Sequence, residues 1–139
     1  LHKTRPARPP RWIPPPTGLA KIIVDAGISR TGNTSAVAAV CRDEQGVYLG
    51  ASAVTFDGLN SPEMLEVIAC IEALALASDL GEFNLRKDSF DAALLVHEKR
   101  DSNVEVHNLA KAVSSLSRGR RLWLLDTPDI TCIPAILPI

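Results

Sequence analysis

The apolar positions in the first half of the chain predict three β-strands. The residues from Lys21 to Ala26 are apolar on both faces, as expected for a strand in the middle of a sheet. A polar turn at 43–46, in which Gly46 can adopt a positive φ, separates the next two apolar stretches. The pattern therefore predicts an antiparallel meander with strands near 20–26, 35–42 and 47–56.

After residue 60 the spacing of the apolar positions becomes helical. Ser61 and Pro62 are typical of a helix start, because a hydroxyl caps backbone N–H groups and proline fits the first helical position. The helix is expected to run from 62 to about 80, with Gly81 just beyond its end. Small residues at helical spacing predict the face that packs on the sheet, namely Ala69, Cys70, Ala73 and Ala77.

The second half of the chain predicts shorter elements. A fourth strand is expected to begin at 83–86 and a fifth at 92–97, followed by a helix over about 104–116. Three strands, a helix and further strands are typical of an α/β fold with a mixed sheet. Residues 1–18 are interpreted as a proline-rich basic lead-in, and residues 118–139 as an apolar tail without a predicted element.

Composition narrows the class of protein. The chain has 139 residues, enough for one domain, and with 46% apolar and 22% charged residues it is globular rather than disordered. A net charge of −1 predicts no global attraction to nucleic acid or to membranes. The basic residues of the lead-in and the arginines near residue 120 are interpreted as solvated tails, with nucleic-acid contact as the alternative.

Cysteine content and hydropathy bear on the compartment. The chain has three cysteines without metal-binding spacing: Cys41, Cys70 and Cys132. Their odd number and spacing predict a reducing, intracellular environment. Cys70 is expected to pack as a small hydrophobic residue in an apolar helix. The longest apolar stretch contains Glu72, so no membrane span is predicted.

Two acids stand where acids are uncommon. Asp25 ends an apolar strand, and Glu66 begins the row of small residues on the helix. The alternative for Glu66 is a first-turn acid that only complements the helix dipole, a role that Glu63 also fills. Converging carboxylates repel unless a cation lies between them, and such oxygen ligands suit Mg²⁺ or Mn²⁺. Metal-assisted phosphodiester chemistry is therefore the first functional hypothesis.

Four segments together resemble a known family: WIPPPTGLAKIIVD, AVAAVCRDEQGVYLGAS, SPEMLEVIACIEALALASDLG and VHEKRDSNVEVHNLAK. They are similar to the plant-type ribonuclease H-like domain of reverse-transcriptase-related proteins in non-LTR retrotransposons, over most of residues 12–111. The resemblance implies a five-stranded mixed sheet with helices. It also implies two Mg²⁺ (or Mn²⁺) ions, bound at four acidic-type positions, that hydrolyse RNA paired to DNA.

The resemblance assigns roles to particular residues. Asp25 matches the first-strand ligand and Glu66 the ligand on the first helix, while His107 stands where an Asp is usual. The third ligand has no clean counterpart, and Asp88 is the candidate, so the expected metal ligands are Asp25, Glu66 and Asp88 with His107 as a further catalytic residue. His97 resembles a fifth-strand histidine of the family, but a buried strand histidine is the favoured alternative.

One departure from the family pattern changes the expected architecture. Only 11 residues separate Leu85 from His97, whereas a parallel connection needs about a dozen for the crossover alone. A domain spanning 19–117 is therefore expected to be truncated between about 87 and 95. The residues from 83 to 97 are expected to form one irregular strand or an antiparallel hairpin, so the parallel part of the sheet is shortened.

Three functions remain open at this level. The domain could hydrolyse RNA–DNA hybrids with Asp25 and Glu66, bind nucleic acid without cleaving it, or be an inactive retrotransposon-derived remnant. The resemblance favours a ribonuclease H-like domain with impaired activity, because a clean third Asp is missing. RNA–DNA hybrid or another nucleic acid is the expected partner, no membrane is expected, and no protein partner can be inferred.

Overall fold

The computed structural model describes residues 12–58, 61–83, 92–96, 102–131 and 133–137. One five-stranded sheet carries a helix on each face, and the strand order across it is β4-β1-β2-β3-β5. The elements are β1 (Leu19–Ile28), β2 (Thr34–Arg42), β3 (Tyr48–Asp57), α1 (Pro62–Phe83), β4 (Ala92–Val96), α2 (Val104–Val113) and β5 (Gly119–Leu124). This is the mixed α/β architecture expected for a ribonuclease H-like domain.

The predicted meander is confirmed. β1 pairs antiparallel with β2, and β2 pairs antiparallel with β3, with a register shift between Cys41 and Arg42. Gly46 turns the chain between β2 and β3 with a φ of 81°, and its N–H donates to the carbonyl of Asp43. β1 lies between β4 and β2, which explains why its residues are apolar on both faces.

The expected mixed sheet with a shortened parallel part is confirmed, but residues 92–96 form a regular strand rather than an irregular strand or a hairpin. β4 runs parallel to β1 in a regular register, from Leu19 opposite Ala92 to Ile23 opposite Val96. The crossover that a parallel strand requires is α1 itself, which carries the chain from β3 across the sheet to β4. The strand predicted as the fifth is the fourth among the residues that the structure describes. A strand beginning at 83 is excluded because Phe83 ends α1, and residues 84–91 lie outside the described part of the chain.

Helix α1 begins as predicted and ends later. The Ser61 hydroxyl accepts a hydrogen bond from the N–H of Met64 and donates to Glu63. Hydrogen bonds from the backbone N–H of Glu63 and from Ser61 lower the pKa of the Glu63 carboxyl. Gly81 does not end the helix, which continues to Phe83. The predicted small face is confirmed for its alanines but not for Cys70: Ala69 and Ala73 are buried against the sheet and Ala77 packs beside them, whereas Cys70 is exposed.

Alternate side chains of β1 pack into two hydrophobic cores, one on each face of the sheet. Ile22 and Val24 pack against α1, whereas Ile23 points to the opposite face and packs against α2. The core on the α2 side includes Trp12, so the end of the lead-in is part of the domain rather than a solvated tail. Lys21 is buried there, with its Nζ 5.9 Å from the centre of the Trp12 ring.

The segment after residue 118 forms the second edge of the sheet. β5 pairs antiparallel with β3, although the sequence pattern predicted no element there. Its arginines contact other side chains of the domain: Arg121 donates to the hydroxyls of Thr55 and Ser117, and the other two contact acids. Arg120 donates to Glu72 and Asp79, and Arg118 lies 3.1 Å from a carboxylate oxygen of Asp57. Neither described helix is long and apolar enough to cross a membrane.

A buried arginine links three distant parts of the chain through hydrogen bonds. The Arg42 side chain is 1% exposed and donates two hydrogen bonds to Glu105 at the start of α2, with N···O distances of 2.9 and 2.7 Å. It also donates to the carbonyls of Gly46 and Pro134, and its guanidinium lies 5.8 Å from the centre of the Tyr48 ring. Burial raises the pKa of the Tyr48 hydroxyl, which donates to the carbonyl of Trp123.

Candidate functional site

A cavity of about 600 Å³ opens where the C-terminal half of β1 passes between α1 and α2. Its walls are mostly apolar and come from β1 and the first turns of α1. Five side chains able to donate, accept or carry charge line it: Asp25, Glu66, Cys70, His107 and Lys111. An apolar cavity with a few convergent polar groups is typical of a binding or catalytic site. Three of the five are residues that the resemblance assigned to the active site.

The Asp25 side chain contacts α2 through His107. It follows Ile23 by two residues and therefore points to the α2 face of the sheet. Its Oδ2 lies 2.9 Å from Nδ1 of His107, and its Oδ1 accepts a hydrogen bond from the N–H of Ala26 at 2.9 Å. The Asp25 side chain is 12% exposed. Asp25 does not end the strand as expected, because β1 continues to Ile28, and both oxygens of its carboxylate are engaged by groups of the protein itself.

A glycine sets the distance between β1 and α2. A Cβ at Gly27 would lie 2.9 Å from both the carbonyl carbon and the carbonyl oxygen of Ala110, closer than non-bonded atoms approach. Gly27 is thus required for the close contact of strand and helix. His107 precedes Ala110 by three residues and Asp25 precedes Gly27 by two, so the same contact brings these two side chains together. The sequence pattern did not indicate this role, although Gly27 follows Asp25 by only two residues.

Glu66 reaches the cavity from the other side. It belongs to α1, which packs on the opposite face of the sheet from α2, and its side chain is exposed. Asp25 and Glu66 therefore line one cavity from the two sides of the sheet. That one cation bridges both carboxylates stays a prediction.

The described residues do not fit a two-ion site. A two-ion site needs several oxygen ligands for each metal. Within the described ranges, no three His, Cys, Asp or Glu side chains are arranged to hold a metal ion. The contact with His107 and the hydrogen bond from Ala26 engage both oxygens of Asp25. The remaining candidates, Asp88 and His97, lie outside the described residues.

Two further side chains of the cavity were not assigned a role from sequence. Cys70 was expected to be buried, but it is exposed and lines the cavity, because it lies beside the small face of α1 rather than on it. Cys41, by contrast, is buried, and burial raises the pKa of its thiol to about 12. Lys111 donates to the carbonyl of Ile28 at 2.8 Å, which places an ammonium group one helical turn beyond His107.

The comparison with protein families agrees with this fold. A model of the family described as "Reverse transcriptase-like" matches residues 23–86. The matched part runs from within β1 to beyond the end of α1, so it includes Asp25 and Glu66 but ends before His107. The match supports a ribonuclease H-like domain of retroelement origin. No curated protein and no solved structure matches the chain significantly.

Proposed function

We propose that this chain is a ribonuclease H-like domain that binds nucleic acid at the cavity beside β1 and cleaves RNA–DNA hybrids poorly or not at all. The observation that carries the proposal is the convergence of Asp25, Glu66 and His107 on one cavity. These residues come from β1, α1 and α2, and only the folded chain brings them together. The match to the reverse-transcriptase-like family over two of the three supports the same location.

The impairment follows from how Asp25 is bound. The ions of a two-metal nuclease fix the attacking and leaving oxygens of the phosphodiester, and each ion needs several oxygen ligands. In this chain His107 contacts one oxygen of Asp25, and an imidazole is a softer ligand than the carboxylate usual at its position. Glu66 supplies the other carboxylate. Loss of a preorganised partner of transition-state charge typically costs about 10²–10³ in rate.

Nucleic-acid binding is proposed to use Lys111 at the mouth of the cavity. Its ammonium group has three donors, and the carbonyl of Ile28 accepts a hydrogen bond from one of them. A phosphate beside Lys111 would gain a charge-assisted hydrogen bond. His107, held by Asp25 through Nδ1, presents its ring to the same cavity and can donate or accept a proton there.

We further propose that the domain is an internally deleted member of the plant-type group. The match to the reverse-transcriptase-like family ends at residue 86, and β4 begins at Ala92. The resemblance implies a helical crossover between the fourth and fifth strands. Here α2 follows β4 after only a short link, and it meets β1 through Gly27.

The competing proposal is that the domain is an inactive remnant. The ion pairs of two arginines near β5 favour this alternative. Arg118 and Arg120 bind acids of the domain, which reduces the positive charge that they offer to a phosphate backbone. A remnant would bind hybrid no better than an unrelated protein of similar charge. Binding therefore discriminates between the two functions.

The first experiment measures binding and cleavage of a labelled RNA–DNA hybrid, with Mg²⁺ and with Mn²⁺. We expect the chain to bind the hybrid at low salt and to cleave it no faster than an Asp25→Asn variant. Lys111→Gln should weaken binding several-fold, whereas Arg118→Gln, which removes the same charge from a residue paired with Asp57, should change it little. Robust metal-dependent cleavage that Asp25→Asn abolishes would contradict the impairment. Absence of binding would favour the remnant.

The second experiment asks whether Asp25 and Glu66 share a single ion. We propose that Mg²⁺ or Mn²⁺ binds weakly between them, so Mn²⁺ should broaden the NMR signals of the residues around Gly27 and Glu66 first. Glu66→Gln should abolish the effect. His107→Ala should strengthen it, because the substitution removes a neighbour of Asp25 Oδ2. Broadening that is unchanged in Glu66→Gln would show that the ion binds elsewhere.

A further inference from the structure

The outer face of α1, turned away from the sheet, is apolar. Four large side chains are exposed there: Met64 (49%), Val67 (57%), Ile71 (60%) and Leu74 (67%). They are three, four and three residues apart and therefore share one side of the helix over three turns. We refer to these four residues as the α1 stripe. Single exposed apolar residues are common, but a contiguous row of this kind is typical of an interaction surface.

The spacing of the α1 stripe fits another helix. Alternating steps of three and four residues form the apolar seam along which two helices pack side by side. From Met64 to Leu74 the stripe extends over roughly 15 Å, at about 1.5 Å per residue. A partner helix of about four turns covers that length. The opposite face of α1 is already packed against the sheet through Ala69 and Ala73.

The acidic residues around the α1 stripe determine which kind of helix it would attract. α1 contains five acidic residues and no basic one. Glu72 and Asp79 bind Arg120 and Glu66 lines the cavity, so Glu63 and Glu82 are the acids left at the two ends of the stripe. Glu63 precedes Val67 by four residues, and Glu82 follows Leu74 by eight, which is two four-residue steps along the same side of the helix. A second copy of α1 would bring acids against acids at both ends. A helix with Lys or Arg beside its apolar residues would be attracted instead.

We propose that the α1 stripe docks a basic amphipathic helix of another protein. The proposal is independent of the nucleic-acid function, because it uses the outer face of α1 and not the cavity. Burial of the four side chains supplies affinity, and the acids around them favour a basic partner over a neutral or acidic one.

Two synthetic helices of about 15 residues test the proposal. Both carry leucine at three- and four-residue spacing, one with lysine and the other with glutamate at the flanking positions. Binding of each labelled peptide to the chain is measured by fluorescence anisotropy. We expect the lysine peptide to bind about tenfold more tightly or better, with the difference shrinking as salt rises.

Variants of the chain separate the apolar and charged contributions. Ile71→Ala with Leu74→Ala should abolish binding of the lysine peptide, and α1 should persist because alanine is the best helix former, as circular dichroism would verify. Glu82→Lys should weaken binding by several-fold. Asp129→Lys makes the same charge change at an exposed residue outside α1 and should leave binding unchanged.

Three outcomes would overturn the proposal. The first is equal binding of the two peptides, since charge would then not select the partner. The second is absence of binding by the lysine peptide. The third is concentration-dependent self-association of the chain, measured by sedimentation, that disappears in the double alanine variant. In that case the stripe would pair with a second copy.

Discussion

Replacement of Arg42 by methionine is expected to lower the free energy of unfolding by about 3–5 kcal/mol. Methionine fills part of the space but leaves the Glu105 carboxylate, 14% exposed, without its bidentate partner. The carbonyls of Gly46 and Pro134 also lose a donor. Removing one partner of a buried pair is costly because the remaining charge stays desolvated. Since a domain is typically stable by about 5–15 kcal/mol, urea unfolding should show a large shift of the midpoint.

A double variant tests whether the unpaired carboxylate is the cause. Arg42→Met combined with Glu105→Leu removes both charges, so we expect it to be more stable than Arg42→Met alone. Glu105→Leu by itself should also destabilise the domain, because it leaves the guanidinium without its carboxylate. A decrease of less than about 1 kcal/mol in the single Arg42→Met variant would show that the buried pair contributes no more than an exposed one.

Replacement of Gly27 by alanine is expected to separate α2 from β1 and to disrupt the contact between Asp25 and His107. The added Cβ would lie 2.9 Å from the backbone of Ala110, and backbone atoms cannot rotate away as a side chain can. Overpacking of this kind typically costs about 1–3 kcal/mol. Unfolding experiments would measure the loss of stability. The ring signals of His107 in NMR spectra should shift, because its Nδ1 would lose the carboxylate 2.9 Å away.

Gly81 supplies the matched control. It lies inside α1, no described atom outside the backbone of its own helix would contact its added Cβ within 4 Å, and its φ is not in the positive range. Gly81→Ala should therefore stabilise the domain by up to about 1 kcal/mol, because alanine restricts the unfolded chain and favours the helix. If Gly27→Ala were as harmless as Gly81→Ala, with His107 signals unchanged, Gly27 would not set the position of α2.

The elements that the sequence alone determines are those with a local physical cause. Alternation and apolar runs predicted β1, β2 and β3, because a strand's faces are set by neighbouring residues. The start of α1 followed from Ser61 and Pro62, and its buried face from the alanines at helical spacing. The candidate acids Asp25 and Glu66 were also identified from local context, one directly after an apolar run and one beside the small helical face.

Tertiary structure decided whatever depends on partners distant in the chain. β4 is parallel because α1 serves as its crossover, and β5 exists because the edge of β3 offers hydrogen bonds to a stretch with no strong pattern of its own. Arg42 meets Glu105 across 63 residues, and Asp25 meets His107 across 82. The contact of Asp25 with His107 depends on the missing side chain of Gly27. Local patterns do not predict such contacts, because strand pairing and close packing depend on residues that are distant in the sequence.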